Sequence, residues 1–311
     1  MKNVKTVLTL GEPMGLWIAS TPGIISEVRE FKLEAAGAEM NVAIGLSRLG
    51  HKVRYLSRVG DDAIGQFLTS RLRAEGVDCS FIAVDEDHST GTMMKSHAEN
   101  GEDPLISYLR KNSAASHLAP EDLSQLTMQH VHHLHLTGIA PALSSSCLEL
   151  VLEAVRLTKE QGGSISFDPN IRPALWPSQQ KMIAVLNSIA CACDWILPGL
   201  EEGRLLTGGH DASEVSDFYL RNGAKAVIVK LGPAGAFYST NQESGFVQGY
   251  PVSNVVDTVG AGDGFATGVI SALLEGLSIR DATKRGNQIG SIVVQFPGDN
   301  DGLPNRDALE K

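Results

Sequence analysis

The sequence lacks paired cysteines, long apolar runs and any excess of basic charge. Its four cysteines, Cys79, Cys147, Cys191 and Cys193, contain no CxxC pair. Cys191 and Cys193 sit one residue apart in the apolar stretch 189–197, closer than zinc ligands are usually spaced, so buried free thiols in a reducing compartment are expected. No window approaches the roughly 18 apolar residues of a membrane span, and the apolar run within 1–11 is too short for a signal peptide. These absences predict a cytoplasmic protein with no membrane partner. With 26 basic and 36 acidic residues the formal charge is −10, which repels phosphate backbones, so nucleic acid is not an expected partner either. Internal repeats and low-complexity linkers are also missing, and nothing divides the chain into independent domains.

What is present suffices for one large unit: 311 residues, 42% of them hydrophobic, with 32 glycines scattered rather than periodic. Residues 4–10 alternate and then run apolar into Gly11 and Glu12, which predicts a buried first strand ending in a turn. A helix over 40–49, stopped by Gly50, feeds a strand over 53–59. The alternation continues with helix 63–75, strand 81–84, helix 145–160, strand 164–168, helix 179–190, strand 194–197, helix 213–222 and strand 226–231. Helices over 262–274 and 279–294 follow. Such repeated units predict an α/β fold with a doubly wound, mostly parallel sheet. Two segments, 15–33 and 90–109, are β-prone without helical periodicity. They predict a small β lid, formed by roughly 12–35 and 88–112, on a single domain spanning 1–311.

The run from Asp257 to Phe265, DTVGAGDGF, carries the most chemistry. A short apolar strand over 254–256 is expected to meet a glycine turn that opens a helix. Backbone N–H groups at a helix start can surround an anion, and glycines let it approach closely. Asp263 falls in that first turn, where it could accept a proton from a hydroxyl. On spacing alone an aspartate capping a helix explains the pattern more readily, since a lone glycine turn is a weak signal. The turn is GxGxG rather than the dinucleotide GxGxxG, and no GxxxxGK[ST] occurs anywhere. The run 130–135, HVHHLH, places His133 and His135 on one face of a strand and His132 on the other; a polar start to a strand is expected there rather than a metal cluster.

The DTVGAGD run resembles the C-terminal signature of the ribokinase or PfkB carbohydrate kinases. The similarity extends along the chain, through Ala36-Gly37-Ala38-Glu39-Met40-Asn41 to Leu49-Gly50, and through Arg58-Val59-Gly60-Asp61-Asp62 to Gly65. Ala36 stands where the family has a first glycine. The resemblance implies a ribokinase-like fold and ATP-dependent phosphorylation of a sugar hydroxyl. It makes Asp263 the catalytic base and Gly260, Ala261 and Gly262 the anion hole. It likewise implies a nucleotide site around Lys230, Gly232, Gly235, Gly260, Gly262 and Asn287, with Asp257 where members place a monovalent cation ligand such as one for K⁺. Mg²⁺ would be held through water by Glu202, because Gly199 replaces the asparagine of the family's NxxE motif.

Gly37, Asn41, Tyr108, Arg110 and Arg172 are similar to substrate positions of the 2-keto-3-deoxygluconate kinases in this family, with Asp263 meeting the same substrate. Two arginines at a pocket offer charge-assisted bonds to a carboxylate, which favours a sugar acid. Met93 stands where some such kinases carry a tyrosine. Fructokinases share the DPN and RPxLW pattern over 168–176, so fructose is the runner-up, and a non-catalytic sugar-binding protein remains the alternative outside the enzymes. Edge strands in the lid could pair between subunits, and a homodimer is expected as in similar kinases.

Overall fold

Val7 and Leu8 leave the first strand, β1 (Thr6–Leu10), on opposite faces and enter different hydrophobic cores. Successive residues of a strand point to opposite sides, and a strand buried on both is what a parallel sheet between helix layers requires. The computed structural model describes residues 4–97, 104–126, 128 and 130–309. The further strands are β2 (Met14–Ala19), β3 (Phe31–Ala36), β4 (Lys52–Gly60), β5 (Ile82–Asp85), β6 (Thr92–Lys95), β7 (Ile106–Leu109), β8 (His133–Thr137), β9 (Ser164–Asp168), β10 (Trp195–Ile196), β11 (Ala226–Lys230), β12 (Gly235–Thr240) and β13 (Ser244–Gln248). The helices are α1 (Ala38–Arg48), α2 (Ala63–Ala74), α3 (Ala140–Leu143), α4 (Ser145–Glu160), α5 (Gln179–Ala190), α6 (Leu200–Thr207), α7 (Ala212–Arg221), α8 (Ala261–Leu274), α9 (Ile279–Val293) and α10 (Arg306–Leu309).

The large sheet runs β13-β12-β11-β10-β9-β8-β1-β4-β5. It is parallel from β11 to β5, and only β12 and β13 are antiparallel. Val227 and Val229 join Leu8 in the core under α4, α5 and α7; Ala226 and Ile228 join Val7 in the core under α1, α2, α8 and α9. A mostly parallel sheet with helices packed on both faces is therefore present, as expected of a doubly wound α/β fold. The second sheet, β3-β2-β6-β7, is a separate four-stranded layer with its own small core of Met14, Leu16, Ala36 and Met93. Ala36, which stands where the resemblance has glycine, is fully buried in that core.

Several local expectations are corrected. Residues 254–256 form no strand, because the N–H groups of Val256 and Asp257 both donate to the Val294 carbonyl at the end of α9 instead of to a neighbouring strand. Helix α6 and strands β12 and β13 lie outside the expected elements: α6 is only 8 residues long, and β13, SGFVQ, sets Phe246 beside Val247 instead of alternating apolar and polar residues. His133 does open β8, with His135 on the same face, but the strand entry is not solvent-facing: both are fully buried, and the Ser164 and Ser166 hydroxyls bond their rings. Burial drives both imidazoles to lower pKa, His135 to about 3. Cys79, Cys147 and Cys193 are buried free thiols, while Cys191 is only half-buried. Among the described residues no helix is long and apolar enough to cross a membrane.

Candidate active site

Parallel strands end on one edge of the sheet, and that edge is where polar side chains converge. β9 ends in Asp168, β11 in Lys230, and the turn after β1 carries Glu12. With the start of α8 and the inner face of the small sheet, they line a cavity of about 380 Å³. Gly37, Asn41, Tyr108, Arg110, Arg172, Glu202, Lys230, Gly260, Gly262 and Asp263 all line it, although they come from nearly the whole length of the chain. Ala261, Gly232, Gly235, Asn287 and Asp257 do not.

Helix α8 begins without a side-chain cap, unlike α2, α4, α7 and α9, which are capped by Asp62, Ser144, Asp211 and Ser278. Gly260 precedes it with φ 84° and lies so close to the Asp299 carbonyl that a β-carbon would come within 2.3 Å. Glycine is required there. The turn leaves first-turn amides and the positive end of the helix dipole beside the cavity. Ala261 is an exception, since its N–H donates to the Thr258 carbonyl at 3.3 Å.

Asp263 is buried in this first turn and accepts a hydrogen bond of 2.7 Å from Asn41 Nδ2. Burial pushes its carboxyl up to about 7, against the opposing pull of Asn41. Asn41 is itself placed by α1, which starts at Gly37, a residue with φ 129° whose β-carbon would lie 2.5 Å from the Glu12 carbonyl. Asn41 Oδ1 also accepts from Asn300, so the amide cannot flip without loss.

Two carboxylates that sequence reasoning had not assigned share the cavity, Glu12 and Glu39. Arg110 forms a buried ion pair with Glu12, and Ser113 donates to the same carboxyl. Burial raises the Glu12 pKa, Arg110 opposing, and raises Glu39 to about 7. Lys230 Nζ lies 2.5 Å from Asp168 Oδ2; burial and the nearby Glu202 charge bring Asp168 to about 6 although Lys230 opposes. Close to neutral pH these acids are thus partly protonated or paired, which lessens the negative charge an anionic ligand would meet. Arg172 lines the cavity with one nitrogen on the Ile171 carbonyl, and the buried Nε of Arg110 has no hydrogen-bond partner.

The remaining sequence-derived positions are occupied by protein contacts. Glu202 accepts from Ile171 N–H and Gly199 N–H, both at 2.8 Å, and thereby caps α6. Asn287 donates to the Val247 and Gln248 carbonyls and ties α9 to β13. Gly232 and Gly235 form the tight turn between β11 and β12. Oδ2 of Asp257 receives the Lys95 ammonium at 2.6 Å. Nothing in sequence spacing marks Lys95 or Glu12; the only signal is a charged residue inside or directly after a strand that is otherwise apolar.

The model of the pfkB family of carbohydrate kinases matches residues 4–306. The chain is 46% identical over 303 residues to the 2-dehydro-3-deoxygluconokinase of Bacillus subtilis (strain 168), covering 97% of this chain and 93% of that one. A chain described as a ribokinase II from E. coli, in complex with ATP and Mg²⁺, matches with a TM-score of 0.91 at 28% identity, covering 99% of this chain and 98% of that one. A double mutant of fructokinase from Vibrio cholerae O395, in fructose, ADP and potassium ion bound form, matches with a TM-score of 0.88 at 28% identity and covers 100% and 98%.

Proposed function

This chain belongs to the pfkB family of carbohydrate kinases, and from that premise we propose that it phosphorylates the 6-hydroxyl of 2-keto-3-deoxygluconate, also called 2-dehydro-3-deoxygluconate, with ATP. The observation that carries this reading is one juxtaposition: a buried carboxyl with pKa about 7, Asp263, at an uncapped helix start in the same cavity as Arg110 and Arg172.

Asp263 takes the proton of the sugar hydroxyl as its oxygen attacks the γ-phosphorus, the bond to the β-phosphate oxygen breaks, and ADP leaves. A base with pKa near the working pH accepts that proton without being permanently protonated. Amides of the turn at Gly260 and Gly262, the α8 dipole and Lys230 face the charge that accumulates on the transferring group. Asn41 orients Asp263. Arg172, together with Arg110, binds the sugar carboxylate, while Gly37 and Tyr108 wall the sugar and the small sheet shields it from water. Gly232, Gly235 and Asn287 shape the ground under the nucleotide rather than the cavity itself.

Mg²⁺ fits this cavity only in a water- and phosphate-held form: Glu202 and Asp168 are the nearby carboxylates, and among the described residues no group of three metal-binding side chains exists. Bound with the nucleotide, the ion supplies charge neutralisation on the phosphates. Potassium does not fit beside Asp257, since the acceptors there are already bound to Lys95.

One observation favours the second reading, fructose. Arg110 is already neutralised by Glu12, which leaves Arg172 as the principal free charge for a carboxylate. An ADP-release assay with Mg-ATP and 2-keto-3-deoxygluconate, 2-ketogluconate, fructose and ribose at matched concentration decides between them. Preference for the deoxy keto acid supports the proposal. Preference for fructose retains the kinase and removes the carboxylate argument, and no turnover with any sugar returns the binding-protein reading.

A further inference from the structure

We propose that the Lys95 ammonium is a built-in replacement for a monovalent cation, so that this kinase works without potassium. The assignment rests on the proposed role of the turn at Gly260 to Asp263 in holding the phosphoryl group, and it concerns what holds that turn in place.

Lys95 is the last residue of β6 in the small sheet, yet its side chain is 1% exposed and reaches Asp257 and Asp299 beside the start of α8. Its three ammonium protons meet three oxygens: Asp257 Oδ2 at 2.6 Å, Asp299 Oδ1 at 2.8 Å and the Pro297 carbonyl at 3.0 Å. This acceptor set, two carboxylates and a main-chain carbonyl, is of the kind that holds a small monovalent cation, and an ammonium group is close to potassium in size. Both carboxylates are as buried as the lysine. Leaving either without a counter-charge would be costly, and the tethered ammonium supplies one at no cost in ion binding. Burial pulls the Lys95 pKa down, but Asp299 and Asp257 together hold it above its ordinary value, so the group stays charged.

The contacts continue directly into the anion turn. The other oxygen of Asp257, Oδ1, accepts the Val259 N–H at 2.9 Å. The Asp299 carbonyl is the atom against which Gly260 is packed. Lys95 therefore fixes both walls of the loop that begins α8, and it does so from the small sheet. Removing the ammonium frees two facing carboxylates to repel each other directly behind the turn. It is a positioning residue: it touches neither sugar nor phosphate.

The test compares wild type and Lys95→Ala in potassium chloride and in tetramethylammonium chloride, a cation too large for the site. Wild type is expected to keep kcat within about twofold in the two salts and to show the same melting temperature. Lys95→Ala is expected to lose about a hundredfold in kcat in tetramethylammonium. Potassium or ethylammonium then restores at least about tenfold and raises the melting temperature saturably, as a ligand of the folded state does. A purely structural ion pair would not be rescued by added cations in this way. A wild-type enzyme that needs potassium overturns the proposal, and so does a folded Lys95→Ala that is fully active in tetramethylammonium or whose defect no cation relieves. The wild-type comparison stands even where the variant does not fold. The melting measurements need no turnover, so failure of the proposed sugar reaction shows separately, as inactivity in every salt.

Discussion

Asn41 Nδ2 and Asp263 Oδ2, 222 residues apart in the chain, lie 2.7 Å from each other at the floor of the cavity. The bond joins the first turn of α1 to the first turn of α8 and opposes the burial that raises the pKa of the proposed base. Replacing Asp263 with Asn keeps shape and much of the hydrogen bonding but removes proton acceptance. Asp263→Asn is expected to lower kcat by about a thousandfold. ATP affinity, measured by calorimetry, should stay within a few fold; full turnover in this variant would refute the assignment of the base.

The pH profile follows from the same pair. Asp263 is active when ionised and its pKa is raised to about 7, so kcat/KM should rise with pH through that region and level off above it. The Asn41 bond favours the anion. Asn41→Ala removes it, raises the Asp263 pKa further and moves the acidic limb to higher pH. A limb that stays in place, or moves down, contradicts the coupling.

Arg172→Ala separates the two sugar readings. A charge-assisted hydrogen bond lost at a carboxylate should raise KM for 2-keto-3-deoxygluconate on the order of tenfold to a hundredfold. Fructose, which carries no carboxylate, should be nearly unaffected. Equal loss on both sugars would make Arg172 a structural residue.

Gly37→Ala probes backbone rather than chemistry. At φ 129° and with a β-carbon 2.5 Å from the Glu12 carbonyl, alanine fits neither sterically nor conformationally. The expected destabilisation is about 1–3 kcal/mol, seen in chemical denaturation, with a rise in sugar KM as Asn41 and Glu12 shift. Unchanged stability would mean that the α1 start relaxes more freely than its contacts indicate.

The proposed homodimer is tested at the edge strand of the small sheet. Leu105 and Leu109 are largely exposed on and beside β7, and an uncovered edge of this kind pairs readily. Leu109→Glu should yield a monomer by light scattering at concentrations where wild type is a dimer. A wild-type monomer would remove the proposal.

The alternation of apolar strands and amphipathic helices was legible because it is a local property: Val7 and Leu8 must face opposite ways in any strand, and glycines such as Gly260 mark turns that other residues cannot make. The DTVGAGD run likewise named its own helix start and its carboxylate, and the family with them. What only the tertiary structure decided are the pairings across distance. Arg110 could be read as a free cation until Glu12 was found against it, and Asp257 as a metal ligand until Lys95 arrived from the other sheet. Side-chain charge is written in the sequence, but whether it is neutralised depends on which buried partner the fold brings within hydrogen-bond reach. That in turn depends on packing over hundreds of residues, which no local spacing encodes.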